Sequence, residues 1–334
     1  MIDWNKGLSA ETYVTIVDPT TWKDLDRIEI TGGSISRTDE GLRSAADLSF
    51  VRYDQSAERW LRVYLDARQT GSAEHTPLFT GLASSPTRDI YGRLSTNSVT
   101  CNSVLQPCSD ILLKRGWYAP KGTDADVVLK DLLSVTPAPV EIEGVAPKLF
   151  GHIVAEEGET HLTMVDKILL AIDWRMKIKG DGTIVISKKA NTVSASFDPL
   201  ENDSIETDLT VEYDWFNAPN VFRAVTDTDC VTVKDERKDS PLSVVNRREI
   251  WMEETDCNLN DDESLETYAE RRLREEQMVN YKVSYKRRYR PDVYASDHVS
   301  LHYPEQQIDG EFYVVSQSIE LGYGATTDEE VIAI

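Results

Sequence analysis

Apolar and polar positions alternate along much of this chain, the period-2 signature of strands that bury one face. From the amino terminus the alternation picks out Tyr13 to Val17, Arg27 to Ser36, Asp47 to Tyr53, Trp60 to Leu65, a strand opening at Leu78-Phe79-Thr80-Gly81-Leu82, and Arg93 to Cys101. Gly32-Gly33 inside the second run marks a bulge or kink. Asp89 to Leu94 reads as a hairpin tip. Short strands divided by turn residues predict a barrel or sandwich over residues 1–100.

The period then lengthens. Val128, Leu129, Leu132 and Leu133 share one face of a helix from Asp124 to about Ser134, with Thr123 as cap and Asp126 as its capping-box partner. Leu162, Val165, Ile168, Leu169 and Ile172 predict a second helix from about Thr160 to Trp174. Met176 to Ser187 reads as a hairpin turning at Gly180-Asp181-Gly182, since Asp-Gly suits a tight turn with positive φ. Residues 191–204 are polar, contain Pro199, and read as a linker. Residues 101–204 are therefore expected to form a small α/β insert and its linker.

Alternation returns in residues 205–334. Strands are expected at Ile205 to Tyr213, Phe222 to Thr226, Val231 to Lys234 and Arg247 to Trp251. A helix is expected over about 261–280, capped by Asn260 with Glu263, with Leu265, Tyr268, Ala269 and Leu273 as a narrow apolar stripe laid across the outside of a barrel. Tyr281 to Leu321 reads as three successive strands, broken at Pro291 and turned at Glu305 to Gly310. In the last of them Phe312, Val314 and Ser316 are expected on one face, and Tyr313, Val315 and Gln317 on the other.

The order of these motifs resembles phage tail baseplate hub proteins: late-control D-type proteins and the amino-terminal part of tail-associated proteins. The residues that carry the likeness are Pro291 to Leu301, Gly310 to Ile319, Pro77 to Gly81, Pro219-Asn220-Val221, and the series Glu157 (or Glu159), Thr160, Leu162, Trp174, Asp181-Gly182. The resemblance implies a mainly β fold with an α+β insert. Two tail-tube-like β-barrels, residues 1–100 and 205–334, would be joined by the insert at 101–204. It also implies a structural role without catalysis or cofactor. Three copies would form a ring adapting a hexameric tail tube or distal tail protein to a threefold spike or tip. DNA would pass through without being bound, no membrane would be involved, and the protein would sit in the virion tail after assembly in the host cytoplasm.

Charge adds to this picture. The formal net charge is -22, and residues 205–334 hold 29 acids against 14 bases. Such a surface repels nucleic acid, which suits either solubility or a channel wall. Four well-separated cysteines, none in a CxxC, argue against a disulfide framework or thiolate metal site and point to a reducing cytoplasm. No apolar run reaches the roughly 18–20 residues of a membrane span, and MIDWNKGLSA does not read as a secretory signal.

Candidate interaction residues follow from charge clusters. Lys286, Arg287, Arg288 and Arg290 form the one dense basic patch, a candidate inter-subunit contact. Glu253, Glu254, Asp256, Asp261, Asp262, Glu263 and Glu266 belong to an acidic run that could line a lumen or meet that patch across an interface. Glu156, Glu157 and Glu159 could supply the paired carboxyls of a glycoside hydrolase, which keeps a tail-associated lysin open as an alternative. Seven Trp and fourteen Tyr keep a glycan-binding tail module open as another. His298 and His302 fall on one strand face without a third metal ligand nearby, and Asn258 to Glu263 lacks the spacing of a calcium loop.

Overall fold

The computed structural model describes residues 2–53, 57–91, 94–189, 192–201, 204–226, 228–255, 257, 259, 263–278, 281–322 and 326–333. The first part of the chain forms β1 (Ser9–Val17), β2 (Asp24–Ile28), β3 (Ile30–Thr38), β4 (Ser44–Phe50), β5 (Arg59–Gln69), β6 (Ser72–Tyr91) and β7 (Leu94–Ser103). The insert follows with α1 (Gln106–Asp110), β8 (Tyr118–Ala119), α2 (Ala125–Leu133), β9 (Val140–Glu143), β10 (Ile153–Val154), α3 (His161–Ala171), β11 (Trp174–Ile178) and β12 (Ile184–Lys188). The rest comprises β13 (Val193–Phe197), β14 (Ile205–Tyr213), β15 (Val221–Val225), β16 (Cys230–Lys234), β17 (Trp251–Glu254), α4 (Leu265–Met278), β18 (Tyr281–Arg288), β19 (His298–Tyr303), β20 (Ile308–Leu321) and β21 (Thr326–Ala333). The fold is mainly β with an α+β insert.

One long sheet joins the two ends of the chain. Among the described residues its hydrogen-bonded path runs β14-β18-β21-β20-β3-β4-β7-β6-β5-β1-β2 and does not close, with β19 and β13 branching from β20. It serves two cores. Val14, Ile35, Leu48, Leu61, Leu78 and Val99 meet in the first, so strands far apart along the path share one interior and the sheet curls around it. Phe197, Val283, Leu301, Tyr303, Phe312 and Val331 meet in the second.

β20 is the shared member. Residues 308–313 pair with β19, 312–319 with β21, and 316–321 with β3. Its register shifts between Val314 and Ser316. A bulge there inserts one residue and reverses which side chains face inward. Phe312 and Val314 point into the core before the bulge, and Gln317, Ile319 and Leu321 after it. The expected alternation, with Ser316 beside Val314 and Gln317 facing out, is therefore corrected beyond residue 314.

Several other expectations change. Val193 to Phe197 is a strand parallel to β19, with Phe197 fully buried, where a linker was expected; its polar residues are the outward half of an alternation. β15, β16 and β17 leave the long sheet and form a sheet of their own. α4 lies on that small sheet through Leu265, Tyr268, Ala269 and Leu273 against Phe222 and Ala224, not across a barrel. The helix starts at Leu265 because the Ser264 hydroxyl accepts from the Thr267 backbone N–H at 3.1 Å, an N-cap bond. The expected cap Asn260 and residues 261–262 and 279–280 lie outside the described residues. Residues 247–250 precede β17 rather than belonging to it. Asp124, not Thr123, occupies the N-cap position of α2. Thr160 caps α3 in a reciprocal pair with Thr163.

The insert is fixed to both parts of the long sheet. Its β11–β12 hairpin presents Gly180-Asp181-Gly182 to the first core. The Asp181 carbonyl accepts from Trp22 Nε1 and Arg62 Nη2, each at 3.0 Å, and the Gly180 carbonyl accepts from the Thr80 hydroxyl at 2.8 Å. A Cβ at Gly180 would lie 1.8 Å from the Pro77 carbonyl oxygen, so only glycine permits this approach. On the other side Lys177 Nζ donates to Asp297 at 2.6 Å.

Candidate functional site on the polar face of the long sheet

Side chains that alternate away from the two cores gather on one continuous surface. Register places them in rows that cross the sheet. One row runs Thr100, Asp47, Ser34, Glu320 over β7, β4, β3 and β20. The next runs Asn102, Ala45, Ser36, Ser318, Asp328, Lys286 from β7 to β18. A third runs Thr38, Ser316, Glu330, Ser284, Thr210 from β3 to β14. Between β3 and β14 the surface is concave, a groove of about 530 Å³ whose lining includes Ser36, Thr38, Ser318, Asp208, Asp328 and Glu330.

This face carries mostly small hydroxyls and carboxylates, with Asn102 and Ala45 among them. Lys282 is held by Glu330 at 3.0 Å and Lys286 by Asp328 at 3.8 Å, and Arg288 shares their face of β18. Thr100 donates its hydroxyl to Asp47 at 2.8 Å. The rows offer no aromatic platform on which a base could stack and no apolar patch large enough to anchor a protein partner.

Directly beneath lies a buried polar knot. Arg287 Nε and Nη2 donate to the two oxygens of Glu329 at 2.8 and 2.7 Å, with both side chains essentially inaccessible. The Tyr285 hydroxyl also donates to Glu329. Gln317, turned inward by the bulge, donates to Glu329 at 2.6 Å and to the Val293 carbonyl at 3.1 Å. Its carbonyl accepts from Arg37 of β3 at 3.3 Å, and Arg37 also donates to the Leu78 carbonyl at 2.6 Å. Burial works against the charge on Glu329, but the adjacent guanidinium and hydrogen bonds outweigh it and hold the carboxyl below its ordinary pKa. Burial also opposes the charge on Arg287, and Glu329 outweighs that too. The knot ties β18, β20 and β21 to β3.

This position corrects the expected basic patch. Arg287 points inward on β18 and is consumed by Glu329. Lys286 faces the polar surface toward Asp328. Arg288 donates to the Lys6 carbonyl at 2.6 Å, and Arg290 donates to Asp292 at 2.6 and 3.0 Å. Strand alternation puts Arg287 on one face of β18 and Lys286 and Arg288 on the other, which a count of charge along the chain does not register.

The acidic run is likewise divided. Glu254 accepts from Arg272 at 3.1 Å and from the Tyr268 hydroxyl at 2.5 Å. Glu263 pairs with Arg271 at 3.0 Å, and Glu253 with Arg223 at 3.1 Å. Glu266 is exposed on α4. Asp256, Asp261 and Asp262 lie outside the described residues. None of the described four belongs to the rows of the polar face. The acids that do, Asp47, Glu320, Asp328 and Glu330, together with Asp208 in the groove, went unnoticed because they are scattered in sequence; the signal was a carboxylate or hydroxyl at alternate positions of strands β3, β20 and β21.

Of the candidate hydrolytic carboxyls, Glu159 is engaged by its neighbours. Partial burial pushes Glu159 up, but Lys167 at 2.5 Å and the Glu156 backbone N–H outweigh it and leave its pKa lowered. A general acid needs the opposite shift. His298 is buried edge-on against Tyr313, while His302 sits between Asp198 and Asp309. Among the described residues no three His, Cys, Asp or Glu side chains cluster as metal ligands do, and no helix is long and apolar enough to cross a membrane.

No protein-family model and no curated protein sequence matches the chain. Solved structures do. A tail protein from Neisseria meningitidis MC58 superposes with a TM-score of 0.70 at 17% identity, covering 96% of both chains. The 43 kDa tail protein of prophage MuSo2 from Shewanella oneidensis gives 0.68 at 14% identity, covering 97% of this chain and 98% of its own. A prophage tail protein from Listeria monocytogenes EGD-e gives 0.57 at 11% identity, covering 96% and 94%. From end to end, this chain has the fold of phage tail proteins.

Proposed function

We propose that the protein is a structural baseplate hub of a phage tail, without catalytic activity. Three copies form a ring that adapts a hexameric tail tube or distal tail protein to a threefold spike or tip. The polar face lines the channel, and DNA passes along it without being held. The protein resides in the virion tail after assembly in the host cytoplasm.

The observation that carries this reading is the row structure of the polar face. Hydroxyls and carboxylates spread over seven strands give a wide hydrated surface with no stacking platform and a repulsive charge, as a conduit for DNA requires. Likeness in fold to tail proteins supports the reading, because each half of the chain contributes a curled stretch of sheet and three copies supply six of them.

Electron microscopy of the purified chain at high concentration tests it. The expected result is a threefold ring with a hole some tens of ångströms across, lined by Asp47, Ser36, Ser318 and Asp328. A ring that turns this face outward, or an assembly without threefold symmetry, overturns it.

A further inference from the structure

Where the insert packs on the long sheet, cations outnumber the carboxylates that hold them. Arg37 of β3 is 4% exposed. Its two bonds end on neutral oxygens, the Gln317 and Leu78 carbonyls, and its guanidinium lies 4.4 Å from the centre of the Tyr294 ring. Among the described residues no carboxylate pairs with it. Glu329, beyond Gln317, is committed to Arg287. A buried charge is costly unless an opposite charge sits beside it.

The neighbouring cations have nothing to spare for it. Arg43 pairs with Asp166 at 2.7 Å. Arg175 and Lys177 of β11 share Asp297, at 3.5 and 2.6 Å. Asp39 is the third carboxyl of the region; it lies beside Tyr313 and Arg43, and burial raises its pKa. Even with Asp39 ionised, Arg37, Arg43, Arg175 and Lys177 face only Asp39, Asp166 and Asp297.

Arg37, Arg43, Lys177 and Tyr294 line one small cavity of about 10 Å³, and no acid belongs to its lining. That is room for a single water or monatomic ion. The turn between β3 and β4 is bent to bring Arg43 there. Arg43 has a φ of +60°, a left-handed conformation uncommon for a long side chain and a form of local strain. Its backbone N–H donates to the Glu40 carbonyl at 3.0 Å, and its carbonyl accepts from the Thr38 N–H at 2.9 Å. The side chain is 9% exposed. Its Nη1 donates to the Gly41 carbonyl at 2.9 Å, whereas the buried Nε has no acceptor among the described residues. Leaving such a donor unmatched costs stability.

We propose that this cavity binds one monatomic anion of the size of chloride, held by Arg37, Arg43 and Lys177. The ion supplies the negative charge that Arg37 lacks and an acceptor for the site's donors. Its ligands come from β3, from the turn after it and from β11, so the ion fastens the insert to the long sheet. A phosphate or a carboxylate side chain is too large for the space. The inference is independent of the hub reading and survives if that reading fails.

Urea unfolding of the full-length chain tests it, with chloride raised from about 5 to about 200 mM and gluconate, which is too bulky for the cavity, keeping the ionic strength constant. The folded-to-unfolded ratio should rise at least about threefold and then saturate, as for one site that exists only in the folded state. Bromide should replace chloride. Arg43→Asn removes one ligand with a residue that tolerates the left-handed backbone, and should abolish the response. Lys177→Met, which leaves Arg175 on Asp297, is the second variant should the first fail to fold by circular dichroism. Equilibrium dialysis against radiolabelled chloride should find one ion per wild-type chain and none in either variant. Stability that ignores chloride, a gain that climbs without saturating, or an equal gain in wild type and variant overturns the site.

Discussion

Arg287 on β18 and Arg271 on α4 each grip a glutamate through two nitrogens, at 2.7 and 2.8 Å in one case and 3.0 and 3.3 Å in the other. Their surroundings differ. Side-chain exposure is 1% and 0% for Arg287 and Glu329, against 21% and 10% for Arg271 and Glu263. Arg271 and its neighbour Arg272 share Glu275 in a surface network that reaches Glu254 and Glu276. Water can replace any member of that network. Nothing can replace Glu329, so the same pairing chemistry is an optional support on the helix and an obligation in the sheet.

Removing one partner separates the two cases most sharply. Glu329→Ala should cost about 3–5 kcal/mol, because it strands a buried guanidinium; urea unfolding of the purified chain reads this directly. A loss below about 1 kcal/mol would mean that water reaches the knot. Acid probes the same pair. A carboxyl whose pKa is lowered in the folded state adds stability that is complete above its unfolded value, about 4.3 for Glu, and is lost as pH falls through the lower folded value. Wild type should therefore lose stability in that acidic window, and Glu329→Gln should lose much less there. Replacing both partners, Arg287→Met with Glu329→Leu, should recover at least half of the single-variant loss, since a buried pair is often no better than an apolar match. Arg272→Ala should cost about 1 kcal/mol and lose most of that effect in 1 M salt, where exposed pairs are screened. Arg288→Glu, at a side chain that donates to the Lys6 carbonyl near the surface, should fall within about 0.5 kcal/mol of wild type. An equal response of all these sites would erase the distinction between helix and sheet.

The sequence shows most of the strands because their alternation is local. Val283 and Tyr285, or Leu162 and Val165, announce their buried faces within a few residues. What it hides is set by partners far away. Val193 to Phe197 looks like a polar linker until β19 is placed beside it. Val315 gives no sign that it is the extra residue of a bulge, so Gln317 reads as an outward side chain when it is a bridge between two cores. The expected basic patch loses Arg287 for the same reason: Lys286 and Arg287 are neighbours in sequence and belong to opposite faces in space. The polar face was legible only in its parts. Asp47, Ser34 and Glu320 are drawn into one row by register, and register is the property that a single sequence expresses least.

The branching of β20 also sets an order of events during synthesis. Gln317 and Arg37 lie 280 positions apart, and β3 finds its second neighbour only when residues 316–321 exist. Contacts of such separation form late, after a large loop has been closed. A nascent chain therefore carries β3 as a bare strand edge while the insert and the small α4 sheet are being made, and it is in this interval that the first half is open to mispairing or to a chaperone.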